Sequence, residues 1–187
     1  MPKRYYACVY GGASDKIADI HKEKTHKLGT IIADCDFALV YGAGSTGCMG
    51  AAARGVNKNG GYVMGISPHF ISSFEEIYDC DNTVMVDTMA ERKTLMEKHA
   101  DIFFVVPGGM GTMDEFFQVL TLKYLERISA PIVVVNTDGF YDSLLKLIDD
   151  LVAQNAVSTS IYTMFTVVND VTNDEISGIL KSVKKGI

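Results

Sequence analysis

The sequence predicts one α/β domain, a doubly wound and mostly parallel sheet of about seven strands with helices on both faces. Three observations carry that prediction. Short β-branched or aromatic runs alternate with helix-length segments along the whole chain. Several runs, such as Ile102-Phe103-Phe104-Val105-Val106 and Ile132-Val133-Val134-Val135, are continuously apolar rather than alternating. A strand buried on both faces reads this way, as in a parallel sheet covered by helices. No linker, repeat or low-complexity tract interrupts residues 1–187, so a single domain is expected.

In chain order, the strand Tyr5–Tyr10 stops at Gly11-Gly12-Ala13-Ser14, and the helix Ile17–Ala33 follows. The strand Phe37–Tyr41 runs through a glycine-rich stretch into the helix Gly47–Asn59. Tyr62–Ile66 and Thr83–Val86 are the next strands, and Met89–His99 is a helix. Ile102–Val106 leads through a second glycine-rich stretch to the helix Thr112–Glu126. Ile132–Val135, the helix Tyr141–Gln154, the strand Met164–Val168 and the helix Asp174–Lys184 complete the series. In such a sheet, ligands bind at the carboxyl ends of the strands, in the strand-to-helix loops.

Composition narrows the function. With 48% hydrophobic and 21% charged residues, the 187-residue chain builds a core without disulfides or structural metal. Its net charge of −6 disfavours non-specific nucleic-acid binding, and Lys181, Lys184 and Lys185 make only a mildly basic tail. Cys8, Cys35, Cys48 and Cys80 form no CxxC pair, and with only four His no zinc site of the usual spacing arises. They read as small buried hydrophobes in a reducing cytosol. Met1-Pro2-Lys3-Arg4 precedes too short an apolar stretch for a signal peptide, and no run is long enough to span a membrane. A cytoplasmic protein is expected.

Two glycine loops carry the chemical signal. In the first, Gly42, Gly44 and Gly47 fit the GxGxxG dinucleotide fingerprint in letter and context. The motif, however, follows the second strand, and the next strand ends Gly65-Ile66-Ser67-Pro68, with no acid for a ribose hydroxyl. A dinucleotide site, a plain tight turn, and a nucleotide or phosphate site without nicotinamide all remain open there. Ala43 stands where a nucleophile elbow needs its first glycine. The second loop is Pro107-Gly108-Gly109-Met110-Gly111-Thr112-Met113-Asp114-Glu115. Its glycines admit close backbone approach, and the helix start behind them favours an anion. It lacks the GKS/T ending of a P-loop, so a monophosphate suits it better than a triphosphate.

Glu115 has two readings. Thr112 followed three residues later by Glu115 is a capping-box pattern, and Glu115 is equally a candidate catalytic carboxylate. Met89, Arg92, Lys93 and Met96 share one helix face at i, i+3, i+4 and i+7. That basic pair is either solvated by snorkelling or aimed at a carboxylate or phosphate near the glycine loop. No oxygen-ligand cluster stands at the loops, so neither a metal nor another cofactor is expected.

Together these motifs closely resemble the LONELY GUY (LOG) family of phosphoribohydrolases, also labelled "lysine decarboxylase-like". Its PGGxGTxxE pattern is matched from Pro107 to Glu115, and its arginine–lysine element by Met89, Arg92 and Lys93. Its GGGSxGLMG loop resembles Gly42–Gly50, and its CGSS turn resembles Gly11–Ser14. The resemblance implies a Rossmann-like homodimer that cleaves the N-glycosidic bond of a nucleoside 5′-monophosphate, giving a free base and ribose 5-phosphate. It places Arg92 and Glu115 on the catalytic pair. Substrate and phosphate positions fall on Ser14, Gly44, Ser45, Glu76, Met89, Lys93, Gly108, Gly109, Met110, Gly111, Thr112 and Thr121. The chain departs from the family pattern at Gly11 for Cys, Ala43 for Gly, Cys48 for Leu and Met110 for Tyr, and it lacks Trp after Thr121. The base released, cytokinin or plain adenine, stays open. A nucleotide-binding carrier or sensor of the same fold is the alternative, and the Arg92–Glu115 pair argues for the enzyme.

Overall fold

Side chains alternate across a strand, so an apolar run feeds two cores at once. The computed structural model describes residues 4–186, and Met1–Lys3, on which part of the N-terminal reading rests, lie outside them, as does Ile187. The strands are β1 (Tyr5–Tyr10), β2 (Phe37–Tyr41), β3 (Val63–Pro68), β4 (Asn82–Val86), β5 (Ile102–Val105), β6 (Ile132–Val135) and β7 (Thr166–Val168). The helices are α1 (Asp19–Asp34), α2 (Gly47–Lys58), α3 (Met89–His99), α4 (Met110–Tyr124), α5 (Asp142–Ala153) and α6 (Asn173–Lys185). The seven strands form one sheet in the order β4-β3-β2-β1-β5-β6-β7, every neighbouring pair parallel. This is the doubly wound α/β fold with a Rossmann-like reversal of strand order between β1 and β5.

Ala7 and Val9 of β1 pack with Leu28 and Ile32 of α1, Ala52 and Val56 of α2, and Ile176 and Leu180 of α6. Cys8 and Tyr10 face the other way, among Met96 of α3, Phe116 and Val119 of α4, and Leu144 and Ile148 of α5. The two continuous apolar runs, in β5 and β6, serve both layers in the same manner. No helix among the described residues is long and apolar enough to cross a membrane.

The departures from expectation lie at element ends. α4 starts at Met110 rather than Thr112, because the chain turns helical directly from Gly109, whose carbonyl accepts the Met113 N–H at 3.0 Å. It stops before Glu126, which has φ +57°. β7 loses Met164, which closes a 3-10 turn by donating its N–H to Ile161. α1 begins after Ala18, which is extended.

Helices α1 and α2 cross with their backbones in contact. A Cβ on Gly29 would lie 2.3 Å from the Ala52 carbonyl oxygen, and one on Gly55 2.1 Å from that of His26. Gly29→Ala is therefore expected to lower stability by about 2 kcal/mol, the overpacking penalty exceeding Ala's better helix propensity. Chemical denaturation checks this as a reduced midpoint with an unchanged slope.

Candidate active site

At the reversal point the loops after β1 and β5 diverge, and a cleft of about 250 Å³ opens between them. Gly11, Gly12, Ala13 and Ser14 form one wall, and Gly109, Gly111 and Thr112 form the other. Met49, Glu75, Arg92 and Glu115 complete the lining. Gly108 is required where the walls meet, since a Cβ there would lie 2.1 Å from Thr112 Oγ1 and 2.5 Å from the Gly12 nitrogen. Gly109 and Gly111 have no neighbour within 4 Å of a notional Cβ, so their missing side chains leave open space at the helix start. Gly109 caps α4 without any side-chain hydrogen bond. The first N–H groups of α4, without intrahelical partners, are therefore free to meet an anion.

The charged pair comes from α3 and α4. Thr88 and Glu91 form a reciprocal capping box that fixes the first turn of α3, and Arg92 follows it directly. Arg92 Nη2 lies 3.6 Å from Glu115 Oε1, and the residues are 8% and 5% exposed. Lys93 Nζ grips both oxygens of Asp114 at 2.9 and 2.8 Å, and Gln118 donates to Glu97. This ladder sets the register of the two helices and holds Arg92 against Glu115. The buried Arg92 Nε has no hydrogen-bond partner among the described residues, so the guanidinium keeps an unused donor. Burial raises the Glu115 carboxyl from 4.5 to about 7, against the pull of Arg92 in the other direction.

The capping-box reading of Thr112 and Glu115 is corrected by this arrangement. Because Gly109 is the cap, Thr112 is the third helical residue and buried beside Gly108, while Glu115 turns toward Arg92. The same T-x-x-E signal is used one helix earlier, at Thr88 and Glu91.

The other predicted residues divide into those at the cleft and those away from it. Ser14, Gly109, Gly111 and Thr112 line it, and Gly108 shapes it. Met89 places its sulfur 3.8 Å from Arg92 Nη1. Gly44 lies where a Cβ would come 3.5 Å from Glu75 Oε2. Ser45 donates its N–H to the Glu76 carbonyl at 3.0 Å and its hydroxyl to the Glu76 carboxylate at 3.1 Å. Glu76 is thus engaged at the rim, and its neighbour Glu75 is the carboxylate in the cleft. Met110 is 84% exposed. Lys93 is engaged with Asp114 rather than with the cleft. Thr121 bonds back to Phe117 in an apolar groove further along α4.

The first glycine loop has duties of its own. A Cβ on Gly42 would fall 1.6 Å from Arg92 Nη2, so this glycine makes room for the guanidinium. The start of α2 already receives a carboxylate, because Gly47 donates its N–H to Asp15 Oδ1 at 2.9 Å. Neither Glu75 nor Asp15 stands in a motif, and only the folding of their loops brings them to the site.

A family model described as "Possible lysine decarboxylase" matches residues 49–175. The chain is 36% identical over 154 residues to a cytokinin riboside 5′-monophosphate phosphoribohydrolase of Arabidopsis thaliana, covering 82% of this chain and 72% of that protein. It is also 36% identical over 165 residues to the enzyme of that name from Mycobacterium tuberculosis, covering 87% of each. The chain belongs to the LOG family. Among solved structures, the molybdenum cofactor carrier protein of Chlamydomonas reinhardtii superposes with a TM-score of 0.72 at 21% identity, covering 98% of this chain and 99% of that one. That likeness concerns the fold. Within the LOG family motif PGGxGTxxE, the structure now separates the parts. Gly109, Gly111 and Thr112 line the cleft at the start of α4, and the closing Glu115 supplies a buried carboxylate.

Proposed function

We propose that the protein hydrolyses the N-glycosidic bond of a nucleoside 5′-monophosphate, releasing the free base and ribose 5-phosphate. The observation that carries this reading is a buried Arg92–Glu115 pair in the same cleft as an uncapped helix start. A protein that only held an anion would gain nothing from a desolvated carboxylate beside it, whereas a ribosyl cation-like transition state would. Membership of the LOG family supports the same reading.

The phosphate sits on the free N–H groups at the start of α4 and aligns the ribose along the cleft. Glu115 and Glu75 then face the sugar, Glu75 accepting from its hydroxyls. As the C1′–N bond breaks, its electron pair leaves with the base, and Glu115 stabilises the charge growing at C1′. Water adds its oxygen to C1′ and passes a proton to Glu115, from which the departing base is made whole. Arg92 offers a planar fork of donors, and with it anchors substrate and holds Glu115. Met110 and Phe74, chain neighbours of the lining residues Gly111 and Glu75, are 84% and 81% exposed and offer apolar surface to an adenine-type base.

A panel of nucleoside monophosphates, assayed for ribose 5-phosphate, tests this reading. AMP or its N6-substituted relatives are expected to react at least about tenfold faster in kcat/KM than the free nucleoside, the effect of one charge-assisted contact. Equal rates refute the phosphate role of α4. Nucleotide binding without release of ribose 5-phosphate favours a carrier or sensor.

The working unit in this reading is a homodimer. On α4 and just beyond it, Phe117, Tyr124 and Leu125 are 37%, 43% and 56% exposed, and a groove of about 230 Å³ runs from Phe117 and Thr121 to Leu151 of α5. A second copy covering this face shields apolar surface that one sheet face leaves open. Light scattering is expected to give twice the 20.4 kDa chain mass, and a monomer at micromolar concentration contradicts the dimer.

A further inference from the structure

We propose that Asp15 sets the preference of the cleft for one phosphate over two, an inference that rests on the nucleoside-monophosphate reading above. Two helices, α2 and α4, begin beside this cleft, and each start offers N–H donors and the positive end of a helix dipole. They are close neighbours. Notional Cβ atoms on Gly47 and Gly108 would each lie 2.5 Å from Gly12, the first from its carbonyl oxygen and the second from its amide nitrogen. The backbone of Gly12, Ala13 and Ser14 lies between the two starts, with Ser14 in the cleft lining and Asp15 next to it in the chain.

The two starts differ in what occupies them. α4 is capped by Gly109 with no side chain, so its donors stay free. At α2 the Asp15 carboxylate takes the Gly47 N–H at 2.9 Å, and the Gly12 carbonyl takes the Met49 N–H at 3.2 Å. The loop that carries Asp15 is fastened on both sides. Gly12 donates to the Pro107 carbonyl at 3.1 Å, Thr46 Oγ1 donates to the Ala13 carbonyl at 2.6 Å, and Lys22 Nζ donates to the Asp15 carbonyl at 3.0 Å. A second phosphate directed toward α2 meets the Asp15 carboxylate where it needs donors, and the lysine beside it, Lys22, is already held by the Asp15 carbonyl and by the Asp19 carboxylate at 2.8 Å. The GxGxxG letters therefore lead to a helix start that the chain fills for itself.

The test is the ratio of the dissociation constants of ADP and AMP, measured by calorimetry at fixed ionic strength on the full chain. Asp15→Asn keeps the accepting oxygen and removes the charge, and Asp15→Ser also shortens the side chain. Asp15 is exposed, so neither variant disturbs the core. Glu126→Gln is the control, because it removes one charge at the far end of α4, roughly 24 Å away by helix rise. The wild type is expected to bind AMP at least about tenfold more tightly than ADP, and both Asp15 variants to narrow that ratio about fivefold or more. The control leaves the ratio unchanged. A wild type without preference, or a ratio unmoved in both Asp15 variants, overturns the inference and leaves the monophosphate reading standing. A wild type that binds neither nucleotide overturns that reading and this inference with it.

Discussion

Replacing Glu115 by Gln is expected to lower kcat by about 100- to 10,000-fold, the range for losing a positioned acid–base group. The fold survives, because Glu115 caps nothing and Gln occupies the same volume against Arg92. Stability carries a separate signature. Burial lifts the carboxyl from 4.5 to about 7, so the folded chain holds this proton more tightly than the unfolded one. The stability that the neutral carboxyl contributes is complete below its ordinary value and is lost as pH rises through about 7. Gln stays neutral throughout, so the stability difference between variant and wild type moves toward the variant, by on the order of 3 kcal/mol across that window. Activity runs the other way. Glu115 accepts a proton only when ionised, so wild-type kcat/KM rises with pH through a limb near 7, and the variant lacks that limb. Melting curves and ribose 5-phosphate release on the same preparation check both. Undiminished turnover in a stable Gln variant removes Glu115 from the chemistry.

Gly42→Ala is expected to cost about 100-fold or more in kcat/KM while changing the melting temperature little. A Cβ here would come 1.6 Å from Arg92 Nη2 and 2.7 Å from Cζ, so the guanidinium must move. It is the far end of a flexible side chain, and Gly42 has no positive φ, so the displacement strains Arg92 rather than the backbone. Both nucleotide affinity and turnover fall, because Arg92 anchors the substrate and holds Glu115. Wild-type kinetics in a folded Gly42→Ala protein contradicts the role given to Arg92.

Much of this architecture is legible in the sequence, for identifiable reasons. Continuous apolar runs such as Ile102–Val105 and Ile132–Val135 have only one comfortable home, the middle of a sheet covered on both faces. Arg92 and Glu115 stand out because they close compact patterns whose spacing survives folding unchanged. The T-x-x-E pattern is less informative. It occurs at Thr88, Thr94, Thr112 and Thr172. Thr88 forms the reciprocal capping box, Thr172 caps α6 through its hydroxyl alone, and Thr94 lies inside α3. At Thr112 the backbone of Gly109, not the pattern, takes the cap position. Glu75 and Asp15 are legible only in three dimensions. Glu75 differs from Glu76 by one position in a loop whose register is fixed by the pairing of Gly44 with Ile77. Asp15 reaches Gly47 across 32 residues, a contact that no local rule encodes. The Gly42 case is similar, since its cause is an arginine on another helix.

The most direct test of the central claim follows an oxygen atom. AMP is incubated with the protein in water enriched in heavy oxygen, and the products are weighed by mass spectrometry. Cleavage at C1′ gives adenine free of label and ribose 5-phosphate whose phosphate oxygens are unlabelled, while its C1 oxygen takes up label both from the attacking water and by exchange of the open aldehyde with solvent. Label in inorganic phosphate beside intact adenosine, or no release of base at all, contradicts the account.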